Sequence, residues 1–72
     1  MDVFIEEMAE ILGVEPGVLA PDFKLADGAW DSLAIVSTIA SVDEHFDVIV
    51  EARALGDCAT FGDILALAKQ GA

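Results

Sequence analysis

Positive charge is what this sequence most lacks. Lys24, Arg53 and Lys69 stand against 14 acidic residues, giving a net charge of −11 at pH 7 with the histidine neutral. Such a surface repels nucleic acid and anionic membranes alike, so neither is an expected partner. Proteins with basic patches are the expected ones, although keeping an apolar small domain soluble is the plainer use of the same charge. Cysteine is nearly missing. Cys58 is alone, so no disulfide braces the fold, and a reducing, cytoplasmic setting is expected. A cysteine of this kind is usually a small buried hydrophobe and not a reactive thiol. No apolar run approaches the roughly 20 residues of a membrane span. The first residues, Met1-Asp2-Val3-Phe4-Ile5-Glu6-Glu7, have no basic stretch of the kind that opens a signal peptide.

The chain does have apolar residues, at 56% of its 72 positions. That share excludes a disordered acidic tail. The length suits one domain over residues 1–72, an expected monomer. A chain this short buries only about 60% of its unfolded surface, so the core is expected to be small and the stability modest.

Three stretches have helical periodicity. Over residues 2–13, Val3, Phe4, Met8, Ile11 and Leu12 recur at helical spacing between Glu6, Glu7 and Glu10, with Asp2 as a cap and Gly13 as a stop. Residues 14–31 form a long connection punctuated by Pro16, Gly17, Pro21 and Gly28. Pro16 can open a short helical turn carrying Val18 and Leu19. Phe23 and Leu25 are expected to pin the connection to the core. Over residues 32–46, about 100° per residue places Ile35, Val36, Ile39, Val42 and Phe46 on one face. Ala34, Ser37, Thr38, Ser41, Glu44 and His45 then cover the other, and Asp43 falls at the margin without explanation. Asp47-Val48-Ile49-Val50 is rich in β-branched residues but lacks a partner strand, and reads as a buried connection. Residues 51–56 suit one short helical turn. Thr60-Phe61-Gly62-Asp63 is close to a capping box, with Asp in the place of Glu or Gln, and opens a last helix that Gly71 ends. The expected fold is all-α: a small antiparallel bundle of three to four helices with a long first loop.

The joint at Gly28-Ala29-Trp30-Asp31-Ser32-Leu33 organises the chain. A polar loop ends there and the most regular helix begins. A helix start presents unpaired N–H groups and partial positive charge, which suits a phosphate. Ser32 is therefore a candidate point of covalent attachment. A hydrolytic nucleophile would need a base within hydrogen-bond reach. The one histidine, His45, lies roughly 20 Å along the same helix at about 1.5 Å per residue, and no Gly-x-Ser-x-Gly elbow is present. The other structural reading is a plain helix cap, for which Asp and Ser are both suited. No calcium-loop pattern occurs, so Asp43, Glu44, Asp47 and Glu51 read as a solvated acidic face and no metal site is expected.

On these residues the chain resembles the acyl carrier proteins. Asp31-Ser32-Leu33 matches the family's Asp-Ser-Leu signature, after a long first loop and before the second helix. Trp30 makes it a Trp-Asp-Ser-Leu form similar to stand-alone carriers of dedicated pathways. Phe46-Asp47 with Val50 resembles the family's helix-end pattern, and Thr60-Phe61-Gly62-Asp63-Ile64 its last-helix start. The resemblance implies that Ser32 receives 4′-phosphopantetheine from coenzyme A through a Mg²⁺-dependent phosphopantetheinyl transferase. Asp31 and Leu33 would flank that site. The arm would hold an acyl group as a thioester for acyl-loading and acyl-transferring enzymes of a fatty-acid, polyketide or related pathway, while the protein itself catalyses nothing. Trp30, Leu33, Asp43, Glu44, Asp47 and Glu51 become candidate partner contacts. Core packing is the plainer role for Leu33, and gap filling for Trp30. Ala40 and Ala66 are small enough to leave room for an acyl chain inside the bundle.

Two departures stand out. The family often has Gly two residues before the Asp, whereas Gly28 is three before it. The first part of the second helix lacks the acids usual in fatty-acid-synthesis carriers, which points to a specialised carrier. The alternatives are an aminoacyl or peptidyl carrier, whose Leu-Gly-Gly-x-Ser signature is missing, and a helical interaction module with no prosthetic group.

Overall fold

A computed structural model describes residues 3–70. Four helices follow one another: α1 Val3–Leu12, α2 Ser32–Phe46, α3 Ala52–Gly56 and α4 Phe61–Gln70. Two short 3-10 turns, Pro16–Val18 and Leu25–Asp27, lie in the long connection between α1 and α2. The expected all-α bundle with a long first loop is the one observed. The expected caps at Asp2 and Gly71 lie outside the described residues.

Each helix ends where its local chemistry requires. At the end of α1, Gly13 has φ +70°, the left-handed geometry that glycine adopts without a Cβ penalty. It donates to the Glu10 carbonyl at 3.3 Å while Val14 donates to Ala9 at 3.0 Å, which satisfies two carbonyls of the last turn. Asp47 ends α2 in the same left-handed region, at φ 55°. Its N–H returns to the Asp43 carbonyl at 3.0 Å.

α2 is the central helix, packed against α1, α3 and α4. It runs antiparallel to α1: Met8 meets Thr38, and Glu7 meets Ser41 and His45. The core gathers Phe4, Met8 and Leu12 from α1, Leu19 and Leu25 from the connection, Val42 from α2, Leu55 from α3, and Phe61 and Ile64 from α4. Phe4 sits among the aromatics, edge-on to Phe46 at 5.0 Å and stacked on Phe61 at 6.2 Å, spacings at which ring pairs attract.

The buried face of α2 differs from the one expected. Ala34, Thr38, Ser41 and Val42 are buried, while Ile35 and Ile39 are only partly so. Val36 is 61% exposed and Leu33 74%, so Leu33 has no core-packing role. Both buried hydroxyls have partners, one within the helix and one across to α1. Thr38 Oγ1 donates to the Ala34 carbonyl at 2.8 Å, and Ser41 Oγ donates to Glu7 at 3.1 Å. Satisfied polar groups cost little to bury, and small side chains let α1 approach closely. The same rotation of the helix leaves Asp43 exposed, which accounts for its place at the edge of the expected stripe. Val3 is also exposed, at 57%, as are Ala40 and Ala66, so neither alanine opens room inside the bundle.

The long connection is fixed by backbone as well as by side chains. Leu25 is buried, and Phe23 packs against the core, as expected. Beyond this, Leu25 donates to the Ala59 carbonyl at 3.0 Å, Phe61 to Phe23 at 2.9 Å and Gly62 to Pro21 at 2.8 Å. The connection is thus laced to the start of α4. A Cβ on Gly62 would stand 2.8 Å from the Pro21 oxygen, which explains the glycine. Gly28 lies against the end of α1, where a Cβ would meet Leu12 at 3.2 Å and where Ala29 donates to the Leu12 carbonyl at 2.9 Å. Residues 47–50 are the expected connection, with Val48 and Val50 buried but Ile49 84% exposed.

Candidate functional site

The start of α2 is set by Asp31. Its backbone is extended, and its side chain accepts the Ala34 N–H at 2.9 Å. Its carbonyl takes the first helical bond, from Ile35, at 2.9 Å. Asp31 is therefore the N-cap, and Ser32 is the first helical residue. The hydroxyl of Ser32 is released from capping and is exposed. Among the described residues no acceptor takes the N–H of Ser32 or Leu33, the free donors that a helix start leaves. A phosphodiester on Ser32 would lie beside these donors and the positive end of the helix dipole.

The other hydroxyls of the chain are less available. Thr38 and Ser41 are buried and donate to Ala34 and Glu7. Thr60 is the cap of α4, its Oγ1 accepting the Asp63 N–H at 3.3 Å. Ser37 is half-buried in the second turn of α2. Of the five Ser and Thr residues, Ser32 is the one that is both exposed and outside any hydrogen bond described.

The surroundings of Ser32 are apolar. Leu33 and Val36 stand exposed on the same part of α2, followed by exposed Ala40. Trp30 is half-buried and packs against the core, the gap-filling position. It lines a cleft of about 370 Å³ with Leu25, Ala26 and Cys58. Its indole N–H is buried without an acceptor among the described residues. Cys58 donates to the Ala54 carbonyl at 3.4 Å, and burial pushes its thiol above the usual cysteine range, with nearby Asp63 and Asp57 adding to the effect. Cys58 is half-buried and packs against the core, and a raised thiol holds less of the reactive thiolate.

The remaining candidate contacts are elsewhere. Asp43, Glu44, Asp47 and Glu51 are all exposed, at the far end of α2 and just beyond it. The helix has 15 residues, so at about 1.5 Å per residue its far end lies roughly 20 Å from Ser32. The candidates thus fall into two groups, an apolar one around the serine and an acidic one at the opposite end.

Sequence reasoning missed Val36 and Ile49 as exposed apolar residues. For Val36 the signal was present, since it is one turn from both Ser32 and Leu33. It also missed His45, which is not a plain surface residue. His45 Nε2 lies 2.6 Å from Glu7 Oε2, with the imidazole side chain 21% exposed. The bond to His45 holds the Glu7 carboxyl below its usual range against a partial desolvation, with Ser41 assisting. No spacing pattern announces a pair 38 residues apart.

None of the curated proteins and none of the solved structures compared matches the chain significantly. A sequence model of the family described as "Phosphopantetheine attachment site" matches residues 2–68, nearly the whole length. Members of that family are carrier domains bearing a 4′-phosphopantetheine prosthetic group. With a helix start built to free one serine hydroxyl and a family match over both its flanks, the chain belongs to the phosphopantetheine-attachment-site family of carrier proteins.

Proposed function

We propose that residues 1–72 form a single acyl carrier domain, modified at Ser32, that serves enzymes of a specialised biosynthetic pathway and is not itself a catalyst. One observation carries the reading: Asp31 does the capping, so the Ser32 hydroxyl is left exposed at a phosphate-favouring helix start. In the modification step the Ser32 oxygen forms a bond to the phosphorus that bears the pantetheine in coenzyme A. The pyrophosphate P–O bond breaks, adenosine 3′,5′-bisphosphate leaves, and the hydroxyl proton passes to the Mg²⁺-dependent transferase. When bound, the arm supplies a thiol that holds an acyl group as a thioester.

The residues present fit this group. Ser32 offers the attachment atom, and the N–H groups of Ser32 and Leu33 suit the phosphodiester. Leu33 and Val36 form an apolar contact surface for the transferase and later partners. Asp43, Glu44, Asp47 and Glu51 offer a separate acidic contact for basic patches. The scarcity of acid near Ser32 supports a specialised pathway over ordinary fatty acid synthesis. A fatty-acid ketosynthase is therefore expected to turn over this carrier at least tenfold more slowly than the housekeeping carrier, and equal rates would sink the specialised reading.

The carrier reading is tested by intact mass after incubation with coenzyme A, Mg²⁺ and a broad-specificity phosphopantetheinyl transferase. The wild-type chain is expected to gain one phosphopantetheinyl group. No gain by a folded chain, with a second transferase tried, would leave a helical interaction module. Offering the loaded chain to acyl-activating and amino-acid-adenylating enzymes then decides the cargo. Acceptance of amino acids alone would replace the acyl carrier by an aminoacyl carrier.

A further inference from the structure

Away from Ser32, α1 and the C-terminal half of α2 bring together an imidazole and two carboxylates. One ligand atom from each of Glu7, Glu44 and His45 lies within 4.8 Å of the others. We propose that these three residues form a binding site for a divalent transition-metal ion, Zn²⁺ in the first instance, that ties α1 to α2.

The donor set is the first argument. One neutral imidazole and two carboxylates bring two negative charges to a doubly charged ion. Three protein ligands plus water is a common open zinc arrangement. The imidazole favours zinc and its neighbours over calcium or magnesium, which take oxygen ligands. Support of the ligands is the second. Glu7 Oε1 accepts from Ser41 at 3.1 Å while Oε2 faces His45 Nε2 at 2.6 Å. The His45 ring stands edge-on to Phe4, with centroids 5.8 Å apart. The Ser41 and Phe4 contacts lie outside the ligand set, and contacts of that kind orient metal ligands and hold them ready.

Access is the third argument. A groove of about 360 Å³ opens beside the cluster, lined by Glu7, Glu44, Ser37 and Ser41 and by one further acid, Glu10. It admits the ion and leaves room for its waters. None of the three basic residues lines it. Binding needs only small movements. The 2.6 Å contact between His45 and Glu7 opens towards the edge of a tetrahedron, about 3.4 Å for bonds of about 2.1 Å. The exposed Glu44 side chain closes in. The ion takes the place of the proton shared between Nε2 and Glu7, which is released to solvent.

The test uses the full chain, shown by intact mass to carry no arm, so that no arm thiol competes. It is titrated with zinc sulfate by calorimetry, and the imidazole ¹⁵N resonances are followed. His45 is the one histidine, so its ring signals need no assignment by mutation. One zinc per chain is expected, with the Nε2 resonance moving in step with binding. Thermal unfolding should shift upwards with zinc and not with the same concentration of Mg²⁺. Glu7→Gln and His45→Gln should weaken binding at least tenfold and Glu44→Gln at least threefold, while Asp22→Asn should leave it unchanged. Zinc that binds without moving the His45 resonances would overturn the proposal whether or not the variants fold. So would several weak, equivalent ions, or equal affinity in a folded His45→Gln chain.

Discussion

The starts of α2 and α4 solve one problem in two ways. Each must satisfy the free N–H groups of a first turn. At α4, Thr60 uses its hydroxyl as the cap and Asp63 reaches back to the N–H groups of Ala59 and Thr60, at 2.9 and 3.1 Å. The box is closed and its hydroxyl is occupied. At α2, the carboxylate of Asp31 takes the capping role and Ala34 stands where the closing acid would be. The box is open, and the hydroxyl of Ser32, one position into the helix, has no structural duty. Moving the cap by one residue turns a structural serine into an available one.

Substitutions can break this contrast. The largest effect belongs to Ser32→Ala, which should abolish transferase-dependent mass gain completely. Its cost in stability should stay within about 0.5 kcal/mol, the range for exposed positions without a structural role, as urea unfolding would measure. A loss of about 1 kcal/mol, as for a removed cap, would mean that Ser32 shares the capping. Next comes Gly62→Ala, which drives a Cβ to 2.8 Å from the Pro21 oxygen. Overpacking of this kind costs about 1–3 kcal/mol, and it should also loosen the connection, read as faster amide exchange at Leu25 and Phe61.

Asp31→Ala and Thr60→Ala should each cost about 1 kcal/mol of stability, and both chains should still be loaded at Ser32. The smallest effect is one of pH. Hydrogen bonds from the Ala59 N–H first, and then from Thr60, hold the Asp63 carboxyl below its usual range. A carboxyl lowered in the folded state favours folding when it is ionised. Its contribution is full above the unfolded value of about 3.9 and fades as pH falls through the folded value. Melting temperature followed from pH 6 down should fall less steeply in Asp63→Asn than in the wild type.

The helices and caps were legible because their signals are local. Thr60 and Asp63 are three residues apart, and Pro16 and Gly13 act on their own turns. The serine was legible for the same reason. The orientation of α2 was not, because hydropathy alone ranks Val36 and Leu33 above Thr38 and Ser41 for burial. What reverses the order is a bond from Thr38 to Ala34 within the helix and one from Ser41 to Glu7 on another. The His45–Glu7 pair was illegible because the antiparallel fold, and no local pattern, brings it together. The exposure of Ile49 between two buried valines follows from tertiary packing around residues 47–50, which no periodicity in so short a stretch could show.

Among the described residues, one hydroxyl of five is both exposed and outside any hydrogen bond described. Peptide mapping by tandem mass spectrometry of the wild-type chain, after complete loading from coenzyme A, tests that most directly. The arm is predicted on the peptide containing Ser32 and on Ser32 itself, with Ser37, Thr38, Ser41 and Thr60 unmodified. An arm on any of those four, or spread among them, would contradict the claim that Ser32 is the available hydroxyl.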